Sequence, residues 1–239
     1  MSDAAWVSLF SGGKDSAFAL YEALEAGLDV GRLVTVHPTA DSYLYHVPAT
    51  GLAGLAAESM EIPLVEIEET AGSGHDAASR GDTEIEALEA GLADLKESER
   101  TQGLSGVVVG AIESEYQADR VAAMCRRLGI DMYAPLWHED PFSLGTAMLD
   151  AHFEIRIIQV AARGLDESWL GRRLDANALD DLRSLHEEYG VHVLGEGGEF
   201  ETLVTDGPHM SRPIQIEYST QWDGTRGHLV VEDAWLGDP

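Results

Sequence analysis

The chain has 239 residues, enough to bury a substantial core, and carries a formal net charge of −28, with Lys14 and Lys96 as its only lysines. No run approaches the ~20 apolar residues that a membrane-spanning helix needs, and so acidic a surface repels nucleic acid, whose binding depends on cationic neutralisation of phosphates. We therefore expect neither a membrane nor a nucleic acid among its partners.

The first predicted unit is a strand, a turn and a helix. Residues 6–10 are short and mostly apolar, typical of a buried strand, and apolar residues recur at helical spacing from 17 to 24, with Gly27 as the C-cap. The turn between them reads Ser11-Gly12-Gly13-Lys14-Asp15-Ser16. Helix N-terminal N–H groups, glycines that allow close approach, the Lys14 charge and the serine hydroxyls make this turn a predicted anion site. Its spacing is not that of the Walker motif.

The first half continues as alternating strands and helices. Strands are predicted at 32–36, 64–67, 107–109 and 130–134. One helix is predicted at 52–60, a second runs from a capping box at Thr83 and Glu86 to residue 95, and a third ends at residue 128. A loop is predicted at 70–82. This alternation predicts a parallel sheet that binds ligands at the carboxyl ends of its strands. The turn at 11–16, His37 and residues 110–117 would meet there, with Tyr116 and Arg120 on one helix face.

The pattern changes after residue 137. A strand-like run covers residues 153–162, Asp175 caps a predicted helix that reaches Tyr189, and the rest is mostly β, with a hairpin turn at Asp223-Gly224. Because strands and helices no longer alternate, we predict an α/β, doubly wound domain at residues 1–137 and a smaller α+β domain at 138–239.

A second unusual stretch covers residues 195–204 and begins Gly-Glu-Gly-Gly-Glu-Phe-Glu. If residues 199–204 are extended, Glu199 and Glu201 share one face and Phe200 takes the other. The glycines would let a ligand approach the backbone, and carboxylates so placed can hold a cation, orient an amine or act as a general base. In so acidic a chain, plain surface charge is the alternative interpretation of Glu196, Glu199 and Glu201.

Cysteine, histidine and charge patterns bound the remaining chemistry. Cys125 is the only cysteine, which fits a reducing cytoplasm, and its apolar helix stripe predicts a buried hydrophobe rather than a nucleophile. No histidines pair at metal-ligand spacing, so a structural zinc is not expected. His46 stays open between a functional and a structural role. The acidic excess is spread over every predicted helix, which indicates a surface adapted to high salt.

Taken together, these motifs resemble the diphthine–ammonia ligase family, within the PP-loop or N-type ATP pyrophosphatases. The turn at 11–16 is the PP-loop signature, and the other matching segments are 46–48, 62–63, 106–117 with Arg120, 134–137, 169–172, and 195–204 with Asp206 and Pro208. They span most of the chain in the expected order. One departure is Ala49, where the family commonly has asparagine, and the implied fold is a HUP-type, Rossmann-like domain with a smaller partner.

The resemblance implies a cytoplasmic ligase that uses ATP, Mg²⁺ and ammonium to convert diphthine on elongation factor 2 into diphthamide. The substrate carboxylate would attack the α-phosphate to give an acyl-adenylate and pyrophosphate, and ammonia would then displace AMP. The implied nucleotide site comprises Ser11, Gly12, Gly13, Lys14, Asp15, Ser16, His37 and Gly110. Lys14 would offset charge, and Asp15 would cap the helix or hold Mg²⁺.

The implied acceptor site comprises His46, Tyr116, Gln117, Arg120, Glu196, Glu199 and Glu201, with Glu199 catalytic beside Lys14 and Asp15. Its glutamates would meet either the trimethylammonium group of diphthine or ammonium. The metal ligands stay unassigned, and a homo-oligomer stays open.

Three rival functions remain. The closest is a paralogous amide ligase that acts on a corrinoid or another small carboxylate. A tRNA-modifying PP-loop enzyme is disfavoured because Cys125 leaves no second thiol for a persulfide relay and because the charge opposes tRNA. An ATP-binding regulatory module without chemistry is disfavoured by the glutamate-rich turn of the second domain.

Overall fold

The computed structural model describes residues 6–37, 49–68, 77–97, 103–113 and 115–238, which form two β-sheets flanked by helices. The strands are β1 (Trp6–Leu9), β2 (Val30–His37), β3 (Leu64–Glu68), β4 (Gly106–Val108), β5 (Asp131–Tyr133), β6 (Glu154–Val160), β7 (Phe200–Asp206), β8 (Ile214–Trp222) and β9 (Gly227–Leu236). The α-helices are α1 (Lys14–Glu25), α2 (Ala49–Met60), α3 (Ala77–Glu97), α4 (Glu115–Leu128), α5 (Pro141–Asp150) and α6 (Ala176–Tyr189). Within these ranges no helix combines the length and apolarity needed to cross a membrane.

The first sheet has the order β3-β2-β1-β4-β5, and all of its strands are parallel. Valines such as Val7, Val107 and Val108 are buried, as expected for strands that helices cover on both faces. The chain runs outward from β1 to β3 and then returns to β4 on the other side of β1. The crevice at this reversal lies where α/β sheets bind ligands. The predicted Rossmann-like α/β fold is confirmed.

The second sheet is antiparallel, with the order β7-β6-β9-β8. Its hairpin closes where Asp223-Gly224 predicted a turn, because the N–H of Asp223 donates to the carbonyl of Arg226 and the Asp223 carboxylate accepts from nearby N–H groups. The helix α6 begins at the predicted cap, since Asp175 Oδ1 accepts from the N–H of Ala178 at 2.8 Å. This half is therefore the predicted smaller α+β unit.

The two sheets share one hydrophobic core. The ring of Phe153, just before β6, lies edge-on to the rings of Phe18 and Tyr21 on α1, with both pairs of centroids 5.7 Å apart. The backbone also joins the halves, because the N–H of Val204 on the edge strand β7 donates to the carbonyl of Gly12 at 2.9 Å. The division at residues 137 and 138 stays a prediction, and a continuous core crosses it.

Two helices differ from the sequence prediction. Helix α3 begins at Ala77, so residues 77–82 are helical rather than loop, and the helix does not start at the predicted capping box. Helix α5 was missed, although Asp140 caps it by accepting from the N–H of Ser143 at 2.8 Å.

Candidate active site

The predicted anion-binding turn lies between β1 and α1, at the carboxyl edge of the first sheet. Gly12 has φ +82°, a conformation that suits glycine. Ser11 and Ser16 close the turn through their hydroxyls, which are 3.2 Å apart, and Ser16 Oγ donates to the carbonyl of Gly13 at 3.0 Å. The turn is therefore held in shape before any ligand arrives.

Some N–H groups at the start of α1 already have partners. The N–H of Gly13 donates to Ser11 Oγ at 3.3 Å, and that of Lys14 donates to Thr202 Oγ1 on β7 at 3.1 Å. The second sheet thus completes the N-terminus of α1, so an anion would rely more on the Lys14 side chain and the serine hydroxyls than the sequence alone suggests.

Lys14 is 3% exposed, and its ammonium donates to Asp15 Oδ2 at 2.7 Å. The same nitrogen lies 5.7 Å from the centroid of the Phe200 ring. A buried ammonium keeps its charge only with such partners. Phe200 is therefore already occupied by a cation of the protein itself.

Gly110 follows β4 and supports the turn through close packing. A Cβ atom at this position would lie 2.7 Å from both the carbonyl carbon and the oxygen of Asp15 and 2.8 Å from the nitrogen of Ser16. Only glycine allows this approach between the end of β4 and the first turn of α1. The structure thus places Gly110 directly against the predicted nucleotide site.

Glu196 brings the second sheet to the turn. Burial raises the pKa of its carboxyl above the ordinary value, with a further contribution from the Asp15 carboxylate, while the N–H of Glu113, Lys14 and His192 oppose this shift. These interactions bring Glu196 within electrostatic range of the Lys14–Asp15 pair and within hydrogen-bonding range of the segment that follows β4. The two predicted motifs therefore form one site.

Glu199 and Glu201 are placed differently from each other. Strand β7 begins at Phe200, one residue later than predicted, and Glu199 lies in the preceding bend, where its Oε1 accepts from the N–H of His192 at 3.0 Å. Glu201 is within the strand, so it faces the side opposite Phe200 and Thr202, the two residues that contact Lys14. Glu199 thus belongs to the turn of Glu196, whereas Glu201 belongs to the strand.

The remaining predicted residues have mixed outcomes. His37 ends β2 with Nε2 3.4 Å from Glu66 Oε1, so the contact seen for its ring is with β3. Tyr116 and Gln117 lie in the first turn of α4, and Arg120 lies one turn later. All three residues therefore follow the loop that leaves β4 at the predicted ligand crevice. The side chains of Tyr116 and Gln117, and all of His46, lie outside the described residues.

Buried polar atoms without hydrogen-bond partners are found around this site. They include Asp15 Oδ1, Glu199 Oε2 and His192 Nε2. Such atoms are costly unless a ligand or water satisfies them, and two of the three are carboxylate oxygens. The site is thus suited to a ligand that donates hydrogen bonds. The described ranges contain no group of three or more metal-ligating side chains.

Sequence analysis missed three residues that build the site. Thr202 was predicted only as part of the extended residues 199–204, Glu113 only as part of the segment 110–117, and His192 had no predicted role. His192 Nε2 lies 3.5 Å from Glu113 Oε2 and links the two halves of the chain. The sequence did contain an indication, because His192 lies four residues before Glu196, close enough for its ring to contact the backbone of the same turn. Cys125 is buried as predicted, and burial raises the pKa of its thiol.

Comparison with known proteins points to one family. The model of the diphthamide synthase N-terminal domain matches residues 4–132, and that of the diphthamide synthase C-terminal domain matches residues 140–236. A diphthine–ammonia ligase of Danio rerio is 35% identical over 219 residues, covering 88% of this chain and 86% of that protein. One of Homo sapiens is 36% identical over 226 residues, covering 89% and 82%.

One solved structure, titled as a predicted subunit of tRNA methyltransferase from Methanocaldococcus jannaschii DSM, has 16% identity and a TM-score of 0.41. The alignment covers 85% of this chain and 98% of that one.

Proposed function

The chain belongs to the diphthine–ammonia ligase family of diphthamide synthases, and from this membership we propose that it converts diphthine on elongation factor 2 into diphthamide, using ATP and ammonium and releasing AMP and pyrophosphate. The observation that carries the proposal is the attachment of β7, which begins directly after Glu199, to the turn at 11–16, because it joins the predicted phosphate-binding turn to the predicted acceptor carboxylates. The alternative of a corrinoid ligase gains no support from these relatives.

The geometry of the turn at 11–16 supports ATP as its ligand. A buried ammonium, two hydroxyls and a helix N-terminus converge at the carboxyl edge of a parallel sheet, where α/β proteins bind nucleotides. Lys14 would offset negative charge as the bond between the α- and β-phosphates breaks, while the serine hydroxyls hold the departing pyrophosphate. The acceptor carboxylate would then form an acyl-adenylate on the side of Glu196.

Mg²⁺ fits this site through Asp15. Its Oδ1 is buried without a hydrogen-bond partner, while Oδ2 is occupied by Lys14. Mg²⁺ usually binds one or two carboxylates together with substrate phosphates, which agrees with the absence of a larger ligand cluster among the described residues. When bound, the ion would neutralise phosphate charge.

Glu199 is better suited to ammonium than to the trimethylammonium group of diphthine. Its Oε2 is buried and lacks a hydrogen-bond donor, and ammonium has N–H groups whereas a quaternary cation has none. Phe200, the neighbouring ring suited to a quaternary cation, already faces Lys14. We therefore assign Glu199 to ammonium: its carboxylate accepts a proton from NH₄⁺, the resulting NH₃ attacks the acyl carbon as the bond to the AMP oxygen breaks, and the new amide loses its extra proton to solvent.

The activity test uses the full chain with ATP, Mg²⁺, ammonium and diphthine-bearing elongation factor 2 in molar KCl. The expected products are AMP, pyrophosphate and an acceptor whose mass changes by the conversion of a carboxylate to an amide. Release of ADP and orthophosphate would contradict the proposed chemistry. The buried cysteine agrees with a cytoplasmic location, which forms part of the proposal.

Glu199→Gln tests whether Glu199 acts on ammonium rather than on ATP. The amide retains an oxygen for the N–H of His192 but cannot accept a proton from ammonium, so amide formation should fall by about 100-fold or more, with ATP affinity nearly unchanged. Glu232→Gln is the matched control, because Glu232 is exposed on β9 and is not among the predicted site residues, and it should remain close to wild type. Equal loss of ATP binding in Glu199→Gln would contradict the assignment.

A further inference from the structure

His192 lies at the centre of the turn that carries Glu196 and Glu199. Its side chain is 17% exposed, and its ring nitrogen Nδ1 is 3.1 Å from the nitrogen of Leu194 and 3.3 Å from that of Glu196. Its own backbone N–H donates to Glu199 Oε1 at 3.0 Å, and its carbonyl accepts from the N–H of Gly195 at 3.0 Å. One residue therefore contacts both predicted acceptor glutamates.

The hydrogen bonds of His192 determine its tautomer. Backbone N–H groups can only donate, so Nδ1 must accept from Leu194 and Glu196 and carries no proton itself. The imidazole proton then lies on Nε2, which is buried and points toward Glu113 Oε2, 3.5 Å away. Glu113 in turn donates its backbone N–H to the Glu196 carboxylate. His192 and Glu113 thus connect the glutamate turn to the segment after β4.

We propose that His192 is a positioning residue for the ligase reaction, which fixes the turn that carries Glu196 and Glu199 through the acceptor nitrogen Nδ1. No regular secondary structure orders residues 191–199, so side-chain bonds must fix the turn. The turn also contains glycines at 195, 197 and 198, which resist local unfolding poorly. Without Nδ1, the N–H groups of Leu194 and Glu196 would lose their partner, and the turn that places both carboxylates would lose its fixed shape.

Three substitutions distinguish the two ring nitrogens. His192→Asn retains an acceptor oxygen near the position of Nδ1 and has nothing at Nε2. His192→Gln reaches toward Nε2 and has no acceptor at Nδ1, and His192→Ala has neither. A general loss of packing would affect Asn and Gln alike, whereas the proposed role predicts that Asn retains function and Gln does not.

The first measurement does not depend on activity. The amide protons of Leu194 and Glu196, which donate to Nδ1, should be protected from hydrogen exchange in wild type and in His192→Asn. In His192→Gln and His192→Ala both amides should exchange about 10-fold faster or more, because they lose their acceptor. The wild-type ¹⁵N spectrum should show His192 Nδ1 as an unprotonated acceptor and Nε2 as protonated.

The second measurement rests on the proposed function. The specificity constant for ammonium should fall by about 100-fold in His192→Gln, as expected for misplacement of a reacting group by ~1 Å, and should stay within a few-fold of wild type in His192→Asn. ATP affinity should change little in either variant. Thermal unfolding of each variant checks that it is folded. If the alanine variant does not fold, the comparison of the Asn and Gln variants still tests the role of Nδ1.

Two outcomes would overturn the inference: equal hydrogen exchange of the Leu194 and Glu196 amides in the Asn and Gln variants, or a protonated Nδ1 in wild type. If wild-type protein forms no amide, the proposed function fails, while hydrogen exchange and the tautomer still decide the role of His192.

Discussion

Gly110 offers a direct test of how closely the nucleotide turn is supported. Gly110→Ala adds a single methyl group, which would lie 2.7 Å from the carbonyl of Asp15 and 2.8 Å from the nitrogen of Ser16. Ordinary contacts of a Cβ atom begin at 3.4 Å, so the first turn of α1 or the end of β4 must shift by about 0.7 Å (3.4 − 2.7). The obstructing atoms are backbone, which cannot turn aside as a flexible side chain can.

The expected magnitude follows from this overlap. Overpacking by one methyl group typically costs about 1–3 kcal/mol of the free energy of unfolding. A displacement approaching 1 Å at a catalytic group costs up to ~100-fold in rate, so amide formation should fall by about 10- to 100-fold. ATP affinity should fall as well, because the shift moves the N-terminus of α1 and with it Lys14.

Gly54→Ala is the matched control. Gly54 lies within α2, and a Cβ there meets nothing within 4 Å. The same substitution should therefore stabilise the protein by roughly 0.5–1 kcal/mol, since alanine is the better helix former. Urea unfolding and calorimetric titration with ATP measure both effects. If Gly110→Ala matches wild type in both, the close approach between β4 and α1 is not required for the site.

Three further predictions address the site and the surface. Burial, together with Asp15, raises the pKa of Glu196, so the folded state favours the neutral carboxyl. The free energy of unfolding should therefore fall as pH rises above 4.5, the ordinary pKa of glutamate. Urea unfolding of Glu196→Gln at several pH values should show that this loss of stability is removed, with no gain in stability at lower pH. Thr202→Val removes the acceptor for the Lys14 N–H and should cost about 1 kcal/mol of unfolding free energy and weaken ATP binding; wild-type affinity would contradict the role of β7. The charge of −28 should make stability collapse between molar and millimolar KCl, because ~1 M salt screens charges beyond about 3 Å, and thermal unfolding that ignores salt would refute the high-salt hypothesis.

The first sheet was predictable because its signals are local. Valine-rich strands, helical spacing and the glycine turn at 11–16 each depend on neighbours in sequence, and the rule for parallel sheets then places Gly110 and Lys14 at one edge. The helix cap at Asp175 and the hairpin turn at Asp223 were predicted correctly for the same reason. Helix α5 was missed even though Asp140 and Pro141 form a clear start signal.

The parts of the site that sequence did not predict depend on contacts distant in sequence. The bond from Lys14 to Thr202 spans 188 residues, and no local pattern marks that threonine as a helix cap. His192 likewise has a role only because its ring accepts from the turn that follows and faces Glu113 across the two halves. Predicting that Glu199 and Glu201 lie in different surroundings would have required the first residue of β7 to be known, because a shift of the strand start by one residue changes which residues alternate between its two faces.

The joint between the sheets explains why the active site needs both halves. The turn at 11–16 binds the edge of β7 twice, through Gly12 to Val204 and through Lys14 to Thr202, so the second sheet fixes the orientation of the phosphate-binding turn. Strand β7 begins directly after the turn of Glu196 and Glu199. Any movement of the second sheet would therefore displace the turn at 11–16 and the turn of Glu196 and Glu199 together, which keeps the distance between them constant. For the proposed two-step transfer through an acyl-adenylate, this shared attachment meets a geometric requirement that a flexible linkage between independent domains would not meet.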